Sequence, residues 1–226
     1  KDGNNTITVK GEGAEDVSVT VKYNDVDAPE VADIQPAGLK QVVVTFNEEV
    51  DKDTAETLSN YDNKFASAKL QSDKKTVVLT LANAAAQNEK IKFDIEDIKD
   101  LKGNKMDKET VEVKMVDRAV PEVKEVSVKG NQMIQVTFSE LVQVSESNFE
   151  LVDEDGDRVE RIKNIEVDGR NVKINFRKAV DAGDYILEVS NVKDFANLVM
   201  FDEEFDVTIV EDEDAPTATL VSASDT

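Results

Sequence analysis

Apolar and polar residues alternate at every second position through most of this chain. Val42-Val44-Phe46 and Ile134-Val136-Phe138 each set apolar side chains on one face, as do Val77-Leu79-Leu81 and Val172-Ile174-Phe176. The pattern continues in Ile91-Phe93-Ile95 and Tyr185-Leu187-Val189, and again in Val111-Val113-Met115 and Phe205-Val207-Ile209. A period of two is that of a strand with one buried face. Turn residues punctuate the runs at Asp73-Lys74-Lys75, Asp155-Gly156, Asp168-Gly169 and Ala182-Gly183, and Asp-Gly is a strong tight-hairpin signal. Only Asp51 to Leu58 reads as helical, for a turn or two.

The runs come in pairs because the chain repeats. Asp27-Ala28-Pro29-Glu30-Val31 recurs as Ala119-Val120-Pro121-Glu122-Val123 and again as Asp214-Ala215-Pro216-Thr217, at offsets of 92 and 95 residues. Gln41 to Val50 matches Met133 to Val142, with Phe46 and Phe138 again 92 apart. Ser59-Asn60-Tyr61 matches Ser147-Asn148-Phe149, and Ile98 to Asn104 matches Val192 to Asn197. Repetition at a fixed period signals an array of domains, and about seven short strands per repeat is the count of an immunoglobulin-like sandwich. The expected fold is all-β: tandem immunoglobulin-like β-sandwich domains at 27–117 and 118–212, with Phe46 and Phe138 as equivalent buried anchors. Residues 1–26, holding Thr6-Ile7-Thr8-Val9 and Val17-Ser18-Val19-Thr20-Val21, read as the C-terminal strands of a preceding domain. Residues 213–226 read as the first strand of a following one. The chain is thus expected to be an internal stretch of a longer protein.

Composition narrows the chemistry. The 226 residues include no Cys, His or Trp. That excludes disulfides, Ser-His and Cys-His nucleophile systems, and metal sites built on nitrogen or sulfur. Any metal must be held by oxygen, which favours a hard cation such as calcium. With 49 acidic and 27 basic residues the net charge is −22, so nucleic acid is not an expected partner. No apolar run is long enough for a membrane helix.

The acids concentrate where repeats meet. Asp25 and Asp27 precede Pro29, Asp117 precedes Pro121, and Asp212 and Asp214 precede Pro216. Carboxylates in such a linker can converge with acids from neighbouring loops to supply calcium's six to eight oxygens; Asp100 and Asp194, late in each repeat, are candidate loop-borne partners. The other reading is a set of solvated acids beside a proline that stops strand pairing. Asp153-Glu154-Asp155-Gly156-Asp157 is better read as a β-turn than as an EF-hand loop, since its glycine and its twelfth residue, Asn164, fall at the wrong positions. Glu48, Glu49 and Glu140 could form a carboxylate pair for glycoside hydrolysis. With aromatics at 5% and no Trp, a sugar platform is missing, and these acids are expected to cap a strand or bond a loop.

The residues also resemble a known family. A proline-led first strand, a strand ending Val136-Thr137-Phe138-Ser139-Glu140, the segment Ser147-Asn148-Phe149 and the late run Ile98 to Asn104 resemble bacterial Ig-like domains of S-layer proteins. The second copy departs from that motif at Ala196-Asn197, so a different turn is expected there. The resemblance implies an extracellular, wall-associated structural protein, often calcium-dependent, that self-associates into a surface lattice. Wall attachment would go through modules outside this chain. The alternative is a surface adhesin or spacer binding a wall or host polymer. Neither reading makes the chain an enzyme.

Overall fold

β-branched and aromatic residues fill the alternating segments, and those segments are strands in the computed structural model, which describes residues 3–10, 16–23 and 25–210. The chain divides into two compact units, Lys1–Asp117 and Arg118–Thr226.

In the first unit β1 (Gly3–Val9) pairs antiparallel with β2 (Val17–Tyr23). Strands β3 (Val31–Ala37), β4 (Gln41–Phe46), β5 (Phe65–Leu70) and β6 (Thr76–Leu81) form an antiparallel sheet in the order β3-β4-β6-β5. β7 (Lys90–Ile95) and β8 (Glu109–Lys114) form a separate pair. Strict alternation on β4 and β6 buries Val42, Val44, Phe46, Val77, Leu79 and Leu81, and the β7–β8 pair buries Phe93, Ile95, Val111 and Val113. Phe65 and Phe93 meet edge to face, with centroids 4.9 Å apart and rings at 77°. Between β4 and β5 lie helix α1 (Lys52–Ala55) and a 3-10 turn, Leu58–Tyr61. Asp51 starts α1 by accepting the Thr54 amide at 3.0 Å, which satisfies one of the helix's orphan donors.

The second unit repeats the plan with β9 (Val123–Val128), β10 (Met133–Phe138), β11 (Val142–Gln143), β12 (Phe149–Val152), β13 (Ile162–Asp168), β14 (Asn171–Phe176), β15 (Gly183–Val189), β16 (Lys193–Asp194) and β17 (Glu203–Ile209). Its four-stranded sheet has the order β13-β14-β10-β9, and β12-β15-β17 forms a three-stranded one. Ile134, Val136, Phe138, Val172, Ile174 and Phe176 from the first sheet share one core with Leu151, Leu187, Val189, Val207 and Ile209 from the second. Two facing antiparallel sheets with a common core are a β-sandwich. The fold is therefore all-β, and Phe46 and Phe138 are buried anchors as expected.

Two features sharpen the sequence picture. In both four-stranded sheets the first strand, β3 or β9, bulges at one residue, Ala32 or Lys124, as the register slips between Val31 and Asp33 and between Val123 and Glu125. Those bulges are themselves 92 residues apart. The strand count is also uneven: β3 to β8 supply six strands where about seven were expected, and α1 fills the difference. The segment read as a following strand, 213–226, lies outside the described residues.

Candidate functional site

Three segments of unit 1 bring carboxylates together. Asp25 lies in the extended segment leading to β3, Glu48 just beyond β4, and Asp100 in the β7–β8 loop. One carboxylate oxygen from each lies within 4.8 Å of the other two. That spacing is close to the span across a sphere of oxygens at calcium's bond length, about 2.3–2.6 Å.

Asp100 is the fixed member. It is buried, and Val50 bridges to it antiparallel. Its Oδ1 accepts the amides of Lys102 and Asn104, both at 2.8 Å, and its Oδ2 accepts the Asn104 side-chain amide at 2.8 Å. Burial opposes the charge, but bonds from the Asn104 side chain and from the Lys102, Asn104 and Gly103 amides outweigh it, holding the carboxyl below its usual range. The Asn104 amide also reaches the Asp25 carbonyl at 3.3 Å, tying the 25–30 segment to the loop. Asp25 Oδ1 accepts the Asp27 amide at 3.3 Å.

Glu48 is the strained member. Burial raises its pKa first, followed by the charges of Asp25, Asp100 and Asp27, against a smaller opposing effect from Lys75. Lys75 is itself directed to the Asn47 carbonyl at 3.0 Å. Like charges crowded in a partly dehydrated corner favour a proton or a cation. Every donor in the corner is oxygen, so a hard cation fits and a soft one does not.

Of the acids singled out in the sequence, Asp25 and Asp100 thus converge, while Asp27 is exposed and contributes through its amide and its charge. Asp117 is buried at the end of unit 1; its amide donates to Gln87 Oε1 at 3.0 Å and its carbonyl accepts from Gln87 Nε2 at 2.6 Å. Asp194 is buried in unit 2, where its Oδ1 accepts the Leu198 amide at 2.8 Å. Asp212 and Asp214 lie outside the described residues. Glu48 was expected only to cap a strand or bond a loop. The signal that singles it out is the repeat itself: Asp25 and Glu48 recur 92 residues on as Asp117 and Glu140.

The Asp153–Asp157 segment is a turn closed by a Val152–Arg158 bridge, with Asp153 Oδ1 accepting the amides of Asp155 and Asp157. Unit 2 also has an open cleft of about 450 Å³ among Glu146, Glu150, Arg158, Glu160, Arg161 and Arg177. Three acids and three arginines line it, and Arg158 is paired with Glu150 at 2.5 Å, so it presents no single charge to a ligand. Among the described residues, no helix is long and apolar enough to cross a membrane.

Sequence comparison agrees with this architecture. A family model described as a bacterial Ig-like domain matches residues 12–116, and one described as a CopC domain matches residues 116–196. Among curated relatives, the Surface-layer 125 kDa protein of Lysinibacillus sphaericus is 32% identical over 242 residues, covering 97% of this chain and 20% of that protein. The Outer cell wall protein of Brevibacillus brevis is 37% identical over 143 residues, covering 62% of this chain and 13% of that protein. The chain thus spans a fifth or less of the length of these relatives. The solved N-terminal part of the bacterial S-layer protein SbsC aligns over 81% of this chain and 44% of its own at 14% identity, with a TM-score of 0.41, too loose a likeness to add weight.

The fold defines tandem Ig-like domains. By sequence the chain is similar, over nearly its whole length, to a stretch of a bacterial surface-layer protein and, over 62% of it, to an outer cell wall protein.

Proposed function

We propose that the chain is a non-catalytic segment of a self-associating surface lattice, and that calcium held by Asp25, Glu48 and Asp100 stiffens the entry to its first sandwich. The observation that carries the calcium reading is the convergence of three carboxylates, one of them buried, within 4.8 Å of one another. An ion there would cancel the repulsion around Glu48 and tie the segment before β3 to the β7–β8 loop. That coupling suits a protein whose work is to hold a shape. The case against catalysis is chemical: no Cys or His to serve as nucleophile or base, and no Trp to stack a sugar. Anchoring to the wall would fall to other modules of the parent protein.

Thermal unfolding in excess calcium, in chelator and in magnesium tests the ion. Calcium at about 100 times its dissociation constant stabilises a folded site by roughly 2.7 kcal/mol, which raises the melting temperature by about 10 °C or more for a domain of this size. Glu48→Gln and Asp100→Asn should abolish that rise. An identical curve in all three solutions sinks calcium here. The lattice reading is tested on the parent protein by electron microscopy: ordered sheets support it, and a monomer that binds a wall polymer favours the adhesin.

A further inference from the structure

The β1–β2 hairpin has two unlike faces. On one, Thr6 bonds Thr20 at 3.1 Å and Thr8 bonds Ser18 at 2.8 Å across the strands. On the other, Ile7 stands opposite Val19 and Val9 opposite Val17, with exposures of 61%, 56%, 66% and 61%, and Val21 beside them at 49%. Five β-branched side chains on one open face of a two-stranded ribbon form an interaction surface, and such a ribbon is marginal by itself.

The repeat identifies what covers it. Val19 and Val21 lie 92 residues before Val111 and Val113, which are 8% and 4% exposed in β8. From the start of β2 to the start of β3 is 14 residues, and from the start of β8 to the start of β9 is also 14. The pairing agrees: Ile7 opposite Val19 corresponds to Phe93 opposite Val111. The polar faces agree as well: Thr8–Ser18 stands where Asp94 and Thr110 bond across β7 and β8, and Thr6–Thr20 takes the register of Lys92–Glu112. The interface this face needs is therefore already built in the same chain, where Phe93 of β7 packs on Phe65 of the four-stranded sheet and β8 lies against β3.

We infer that the apolar face of β1–β2 docks on the four-stranded sheet of a further Ig-like repeat and completes that repeat's sandwich. The completed sandwich differs from unit 1 in one respect. Its hairpin connector, residues 10–16, is shorter than residues 96–108.

The chain has no cysteine, so a single introduced thiol reports on each face. In the full chain, the thiol of Val19→Cys should react with iodoacetamide like a free thiol, and that of Val111→Cys about 100-fold more slowly. Residues 27–88 are then duplicated ahead of Gly3, which keeps Ile7 in the register of Phe93. In that longer chain the Val19→Cys thiol should slow to the Val111→Cys rate and a new unfolding transition should appear. Val19→Asp should abolish the new transition while leaving that of the original chain in place. A thiol that stays fast in the longer chain, or an added segment that stays unfolded, overturns the inference. So does a dimer of the original chain that Val21→Asp converts to monomer, because the occupant would then be a second copy of the hairpin.

Discussion

The two sandwiches keep the same four-stranded sheet and the same closing hairpin, yet they fill the space between β4 and β5, or β10 and β13, by different means. Unit 1 uses α1 and a 3-10 turn, and Tyr61 lies fully buried with its hydroxyl donating to the Ala55 carbonyl at 2.8 Å. Unit 2 has Phe149 at that place, with no hydroxyl to satisfy, and runs on into β12, which adds a third strand beside β15. One asparagine survives the change. Asn60 bonds the Thr54 carbonyl at 2.9 Å, and Asn148 bonds the Ser190 carbonyl at 2.9 Å. Both backbones also accept from the strand opposite, through Glu96 and Ser190. The lesson is that the repeat conserves the pinning of this crossover and leaves its secondary structure free.

The late loops differ in a smaller way. The Ala196-Asn197 departure was expected to change the turn, but its handedness is kept. Asn197 takes φ +64° where Gly103 takes +94°, and asparagine is among the few side chains that tolerate that region. What changes is the next residue. Asn104 gives its side-chain amide to Asp100, whereas unit 2 has Leu198 there. The loop of unit 1 is therefore held by a buried carboxylate with three donors around it. Asp100→Ala removes the acceptor of all three and is expected to cost about 2–3 kcal/mol. Melting of unit 1 would fall by more than about 10 °C. Asn104→Leu, which imitates unit 2, should cost about 1 kcal/mol. A loop that tolerates both changes equally would show that the carboxylate, rather than its cradle, is dispensable.

Exchanging the aromatic residues probes the crossover at a lower cost. Tyr61→Phe removes the bond to Ala55 and should destabilise unit 1 by about 1 kcal/mol. Phe149→Tyr buries a hydroxyl in a core built without a partner for it and should cost about 1–3 kcal/mol. Denaturant midpoints at unchanged slope measure both. If Phe149→Tyr proves neutral, the two crossovers are more alike than their secondary structures suggest.

Much of this was legible in the chain before any coordinates. Alternation located β4, β6, β10 and β14 because each buries one face, and the 92-residue offset located their partners. β12 was not anticipated: Phe149 to Val152 is three-quarters buried and its apolar run lacks a clear period. At the site, Asp25 and Asp100 were found from their place beside a proline and in a late loop. Glu48 was read only as an acid capping a strand or bonding a loop, because its place beside Asp25 and Asp100 comes from three segments far apart in sequence, which no local pattern records.

Glu48 also provides the most delicate test, because its sign depends on solution conditions. Its folded pKa is raised, chiefly by burial and then by Asp25, Asp100 and Asp27, so the folded state binds a proton more readily than the unfolded chain. The charged group therefore costs stability at neutral pH. That cost fades as pH falls through the raised value and is gone below the ordinary carboxylate range. Asp100 runs the opposite way: its depressed pKa contributes stability at neutral pH that is lost as pH falls through the folded value. In chelator, Glu48→Gln should thus stabilise by about 0.5 kcal/mol at pH 7 and by nothing at pH 4. In calcium the same substitution removes a ligand and should destabilise. A gain in calcium as well as in chelator would leave Glu48 as a crowded acid with no part in binding an ion.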